Sequence, residues 1–213
     1  MYFDYKNPIK KSPLYPVGKY LSGFLAPFAY DFTCFGRENI PDDGPLIIAG
    51  NHISFSDPAV IIANCPRHIC YMAKSELFET RRWSLLMKSM NAFPVKRGFA
   101  DRNALRYAEK VISEGYALGI FPEGRTVKEF IPSEAKTGVA YIAYKTGADV
   151  LPVCLYRNPE DKRKRHSLVL RFGEVIENNE LFQNGKSKSE DIRKAADIIM
   201  GEIKRMWEEE NCR

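Results

Sequence analysis

Short apolar runs alternate with amphipathic stretches along most of the chain. Residues 45–50, Pro-Leu-Ile-Ile-Ala-Gly, are rich in β-branched side chains and close on glycine, the pattern of a buried strand. Asp57-Pro58 followed by the apolar residues 59–63 predicts a helix, with Asp57 as its N-cap and Pro58 at its first position. Residues 69–73 read as a strand, and 76–90, with Leu77, Phe78, Leu85 and Leu86, as one or two amphipathic helices. A strand over 91–95 ends at Lys96-Arg97-Gly98. A helix over 102–114 sets Ala104, Leu105, Ala108, Val111 and Ile112 on one side. A short strand at 119–121 runs into Pro122-Glu123-Gly124-Arg125. A helix over 135–145, strands over 150–156 and 167–172, and a helix over 189–210 complete the pattern, with a basic turn at 158–166. The last helix carries its apolar stripe on Ile192, Ala195, Ala196, Ile199, Ile203 and Met206. Alternation of this kind specifies an α/β fold, with a central, largely parallel or mixed sheet flanked by helices.

The stretch 14–35 departs from that pattern. It is aromatic and apolar but is interrupted by Pro16, Lys19, Pro27 and Asp31, so it lacks the run of about 20 apolar residues that spanning a bilayer requires. Lys6, Lys10 and Lys11 precede it. The expectation is an amphipathic segment over 1–32 that docks on an anionic membrane surface, ahead of a domain over 33–213. The alternative is a helix packed on the domain's own core. The N-terminus shows no signal-peptide succession, so a cytoplasmic setting is expected.

Composition narrows the function classes. The length of 213 residues suits one domain, and the net charge of +5 is modest. Without a strong basic excess or a recognition motif, a nucleic-acid partner is not expected. A membrane surface or an anionic small substrate explains the balance as well. The five cysteines are scattered, no C-x-x-C occurs, and there are only three histidines, so no metal site is expected and reduced thiols are the default.

The candidate chemistry falls where strands end. His52 and Asp57 are five positions apart, which on a continuous helix would turn their side chains about 140° from each other. Across a loop folding back on a helix N-terminus they can meet, and the carboxylate then fixes the imidazole tautomer and stabilises the imidazolium. No G-x-S-x-G nucleophile elbow occurs, so the histidine is expected to act on a substrate hydroxyl. Lys96-Arg97 offers a phosphate a point charge and a planar fork. Pro122 and Gly124 set a tight turn around Glu123. Open α/β sheets bind ligands at the carboxyl ends of their strands, so the three clusters are expected to converge. A capped helix, a solvated basic turn and an ordinary strand-to-loop turn are the plainer readings of the same residues.

Taken in order, these stretches resemble the glycerolipid acyltransferases, specifically the bacterial lysophosphatidic acid acyltransferases. Asn51, His52, Ser54 and Asp57 match the motif N-H-x-S-x-x-D. Residues 93–98 match a strand-borne motif ending in arginine. Phe121-Pro122-Glu123-Gly124 matches F-P-E-G-T-R-S, although Arg125-Thr126 stands where the family carries Thr-Arg. Val150-Leu151-Pro152-Val153 matches an apolar V-P-V strand. The resemblance covers about residues 32–156. It implies acyl transfer from an acyl thioester to the sn-2 hydroxyl of 1-acyl-sn-glycerol-3-phosphate, with His52 as general base, Asp57 as its orienting partner and no acyl-enzyme. It further implies that Arg97, with Lys96 or Arg125, holds the acceptor phosphate, that Glu123 and Gly124 shape acceptor binding, that Pro152 adds to a hydrophobic wall and that Lys74 stabilises developing charge. No metal or prosthetic group is implied; the co-substrate is acyl-CoA or acyl-acyl carrier protein, and the enzyme would work at the cytoplasmic face of the cell membrane as a peripheral or monotopic protein. Another acceptor, such as glycerol 3-phosphate or a different lysolipid, and a non-catalytic membrane-binding module are the rival readings.

Overall fold

A computed structural model describes residues 3–5, 12–96, 101–127, 135–158, 167–182 and 189–212. Its helices are α1 (Leu14–Ala29), α2 (Asp57–Asn64), α3 (Arg81–Ser89), α4 (Arg102–Ser113), α5 (Gly138–Thr146), α6 (Asn178–Leu181) and α7 (Ser189–Asn211). Its strands are β1 (Asp31–Phe35), β2 (Leu46–Gly50), β3 (Ile69–Lys74), β4 (Phe93–Val95), β5 (Ala117–Ile120), β6 (Asp149–Tyr156) and β7 (Ser167–Phe172). They form one sheet in the order β1-β7-β6-β2-β5-β3-β4. β6, β2, β5, β3 and β4 run parallel, and β7 meets β6 antiparallel with β1 parallel beside it. The expected α/β fold with a largely parallel sheet is therefore present.

The parallel strands are covered on both faces, which is why their sequences read as continuous apolar runs. All five residues of β2 are buried. One face packs on Ala104, Ala108 and Val111 of α4, Val139 and Ala143 of α5, and Ala195, Ile199 and Ile203 of α7. The other packs on Val60 and Ile61 of α2, with Tyr15 of α1 and Met87 of α3. The region 76–90 resolves into two helices, a 3-10 turn at Ser75–Phe78 and α3.

Two elements escaped the periodicity, β1 inside the aromatic stretch 14–35 and the short α6. Within that stretch α1 packs one face on the domain and leaves the other exposed. One face is tied down: Tyr15 is buried, its hydroxyl accepts the Ile69 N–H at 2.9 Å, and its ring stacks on His68 at 3.7 Å. Lys19 Nζ donates to the Cys65 carbonyl at the end of α2, at 2.6 Å. The other face exposes Leu14, Val17, Tyr20, Leu21 and Phe24. All five thiols are unpaired.

Candidate active site

β2 ends in a side chain that imitates main chain. Asn51 is fully buried; its Nδ2 donates to the Leu155 carbonyl at 2.8 Å, and the Leu155 N–H donates back to Oδ1 at 2.7 Å. The ladder to β6 is thereby satisfied while the backbone turns away, and His52 is carried out of the sheet.

There it meets Asp57. His52 Nδ1 lies 2.8 Å from Asp57 Oδ2, and the same oxygen accepts the N–H groups of Ile53 and Ser54, each at 2.7 Å. The expected N-cap role of Asp57 is corrected: Ser56 is the N-cap, and Asp57 is the first helical residue. Its carboxylate turns back to the loop because three donors converge there. Asp57 is 1% exposed, so those bonds replace the hydration a buried charge would otherwise lose. A carboxylate on Nδ1 makes that nitrogen the protonated one and leaves Nε2 as the acceptor.

The Glu123 turn clamps the other side of His52. The His52 N–H donates to Glu123 Oε2 at 3.2 Å, and the His52 carbonyl accepts the Val127 N–H at 2.8 Å. Glu123 is 4% exposed, and its Oε1 has no partner among the described residues. Burial pushes its carboxyl up to about 7, with the Asp57 charge adding to the effect and the His52 N–H and Arg125 opposing it. Gly124 holds φ at +67°, a conformation glycine adopts without strain.

An aromatic stack completes the support. The Phe121 ring lies parallel to the His52 imidazole at 4.1 Å, and Tyr71 stacks on the far side of Phe121 at 5.5 Å. Tyr71 has room only because residue 119 is glycine: a Cβ there would sit 2.3 Å from the Tyr71 ring. Tyr71 and Gly119 face each other across β3 and β5. The tyrosine carries no polar motif around it, so nothing in the sequence marked it as part of the site.

A groove of about 1580 Å³ opens on His52. Phe55, Pro58, Ala59, Ile62, Leu77 and Met87 belong to its apolar lining, contributed by α2, α3 and the segments that lead into them. Lys74, Lys96, Arg102, Lys136, Lys145 and Arg193 line the same groove and give it a cationic excess. Chemically, this is an imidazole paired with a carboxylate, opening on a groove whose lining holds both apolar side chains and cations.

The candidates from the sequence distribute as follows. His52 and Asp57 meet, Glu123 holds the His52 backbone, and Gly124, Lys74 and Lys96 line the groove. Lys74 Nζ is engaged by Glu76 at 2.9 Å, and that ammonium holds the Glu76 carboxyl down to about 2. The Lys96 N–H donates to Asp101 Oδ2, the N-cap of α4. Arg125 is exposed and stands outside the groove lining, whereas Thr126 contributes to it. Pro152 is buried inside β6, beside Gly173, rather than on the groove wall. Arg97 and the basic turn of 159–166 lie outside the described residues. Among the described residues no cluster of three metal-type ligands occurs.

Residues 31–156, from β1 through β6, match the family model described as Acyltransferase. The chain is 31% identical over 146 residues to the 1-acyl-sn-glycerol-3-phosphate acyltransferase of Bacillus subtilis, covering 67% of this chain and 72% of that protein. It is 34% identical over 128 residues to the enzyme of the same name from Borreliella burgdorferi, covering 57% of this chain and 49% of that protein. The crystal structure of the 1-acyl-sn-glycerophosphate (LPA) acyltransferase PlsC from Thermotoga maritima aligns with a TM-score of 0.72 at 26% identity, over 94% of this chain and 80% of that one.

Proposed function

This chain belongs to the acyltransferase family and is an O-acyltransferase, and from that premise we propose that it acylates the free sn-2 hydroxyl of 1-acyl-sn-glycerol-3-phosphate. The product is phosphatidic acid, a step of phospholipid synthesis. The relatives named for this reaction support the acceptor. The single observation that carries the reading is the His52–Asp57 pair, at 2.8 Å, opening on a groove lined by both apolar side chains and cations.

His52 Nε2 takes the proton of the acceptor hydroxyl as its oxygen attacks the thioester carbonyl. Asp57 stabilises the imidazolium that results, and Phe121 keeps the ring in plane. The tetrahedral adduct collapses, the carbon–sulfur bond breaks, and the leaving thiolate takes the proton back from His52. No acyl-enzyme intervenes, and base catalysis of this kind supplies roughly 10²–10⁴-fold in rate. The thioester of coenzyme A or of acyl carrier protein serves as donor, and its acyl chain lies along Pro58, Ala59, Ile62 and Met87.

Both lipids are membrane amphiphiles, so the enzyme works as a peripheral or monotopic protein at the cytoplasmic face of the membrane. The exposed face of α1 supports this, and so do Phe55 and Trp83, in edge contact at 5.6 Å, with exposed Leu85 and Leu86 on α3. Exposed Arg81 and Arg82 flank that patch, and each cation near an anionic surface contributes about 1 kcal/mol. Among the described residues no helix is long and apolar enough to cross a membrane.

The test is release of free thiol from an acyl thioester in the presence of lysophosphatidic acid. Turnover is expected from the natural chain and none above background from His52→Ala, with the variant's circular dichroism unchanged. Undiminished turnover in that variant would sink the base assignment, and turnover only with a different acceptor would sink the substrate.

A further inference from the structure

Lys136 lies between the Glu123 turn and α5, two residues before the helix begins. Its N–H donates to the Pro122 carbonyl at 2.9 Å, so its backbone is tied to the turn that holds His52. Its side chain runs back across Gly124. A Cβ at residue 124 would come 2.6 Å from Lys136 Nζ and 2.9 Å from both Cδ and Cε. The bare glycine therefore lets the ammonium lie directly over the turn, and Lys136 lines the groove together with Gly124 and Thr126. Arg125, the cation that the turn itself carries, is outside that lining.

The other groove cations differ in how far they are engaged. Lys74 pairs with Glu76 and Arg193 with Asp197, while Lys145 sits over the rings of Tyr141 and Tyr144. The side chains of Lys96, Arg102 and Lys136 show no such ion pair or ring contact among the described residues, and of these three it is Lys136 whose ammonium lies across Gly124. An ammonium aimed over the turn whose neighbouring carboxylate holds the catalytic histidine is placed to fix an anionic group of the molecule being deprotonated.

We propose that Lys136 binds the phosphate of the lysolipid acceptor and sets its hydroxyl against His52. This rests on the lysophosphatidic acid reading above. A hydrogen bond to a charged group that is open to solvent sits at the low end of its range, which corresponds to about tenfold in affinity.

The experiment uses the full chain with Lys136→Met, which keeps the stem over Gly124 without the charge, and Lys136→Arg, which keeps the charge. Lys204→Met, on the exposed surface of α7, controls for net charge. Calorimetric binding of a short-chain lysophosphatidate is compared with the matching monoacylglycerol, and KM is measured separately for acceptor and donor. Lys136→Met is expected to weaken lysophosphatidate binding about tenfold and raise acceptor KM by a similar factor. Monoacylglycerol binding, donor KM and melting temperature stay unchanged, and Lys136→Arg recovers most of the loss. Unaltered lysophosphatidate affinity in Lys136→Met overturns the assignment, as does equal weakening for both lipids or a rise confined to donor KM. Natural protein that binds lysophosphatidate through Lys136 yet does not acylate it would refute the proposed reaction while leaving the phosphate contact standing.

Discussion

Replacing Glu123 with glutamine converts the pH dependence of stability into a report on this turn. The carboxyl is nearly inaccessible, one oxygen takes the His52 N–H, and the other has no partner among the described residues. In the folded chain burial raises it from 4.5 to about 7, whereas in the unfolded chain it ionises near the ordinary value. Between those limits the folded state holds the extra proton, so its stability falls as pH rises. At about 1.4 kcal/mol per unit, the whole interval amounts to roughly 3 kcal/mol. The contribution is fully present below pH 4.5 and is lost as the pH passes through about 7.

Glutamine keeps the shape and never ionises. Its amide still accepts the His52 N–H but leaves an N–H₂ group where Oε1 was unpartnered, a pH-independent penalty of about 1–3 kcal/mol. The pH-dependent part alone therefore isolates the carboxyl. Urea denaturation of both proteins from pH 4.5 to 8 should show Glu123→Gln gaining on the natural chain by roughly 3 kcal/mol across the interval. A difference that stays flat would refute the raised carboxyl, and one that grows in the opposite sense would mean that Glu123 is held ionised.

Two further outcomes follow from the same geometry. Gly119→Ala places a methyl group 2.3 Å from the Tyr71 ring, so it should lower stability by about 1–3 kcal/mol and reduce kcat more than KM as the Tyr71–Phe121–His52 stack shifts. A normal kcat in a folded variant would show that the stack does not hold the histidine. Replacing Tyr20, Phe24 and Trp83 together with serine should reduce cosedimentation with anionic vesicles while sparing turnover of a short-chain soluble acceptor; unchanged sedimentation would remove these faces from membrane docking.

The sequence disclosed whatever was encoded locally. β2 and α2 were legible because five buried residues, then a proline at a helix start, carry their own signals, and the His52–Asp57 pair spans only the short loop and the first residue of the helix. β1 was not legible. Only Phe32 and Cys34 turn toward the core, between exposed Asp31, Thr33 and Phe35, and as an edge strand it pairs with β7 alone, so five residues directly after an apolar helix carry little signal of their own. The backbone partners of the Asp57 carboxylate were hidden for a related reason: that the Ile53 and Ser54 N–H groups join His52 on it depends on the path of residues 53–54, not on the residue type at 57. Lys136 gave no signal, since its reach over Gly124 depends on where α5 starts in space.

The long-range part of the site follows from sheet register, which hydrophobic patterning does not reveal. β2 and β5 pair with Ala49 opposite Ile120, and the bond from the His52 N–H to Glu123 joins residues with that same separation of 71 positions. The two strands thus leave the sheet in step, and a carboxylate side chain takes the donor that a carbonyl would have taken one ladder rung earlier. A slip of one residue would set Pro122 or Gly124 opposite His52, and neither offers an acceptor side chain. It would also reverse the faces of buried Ile47 and Leu118, which are fixed by apolar packing on both sides of the sheet. The core that makes β2 read as a featureless apolar run is therefore what delivers Glu123 to the histidine.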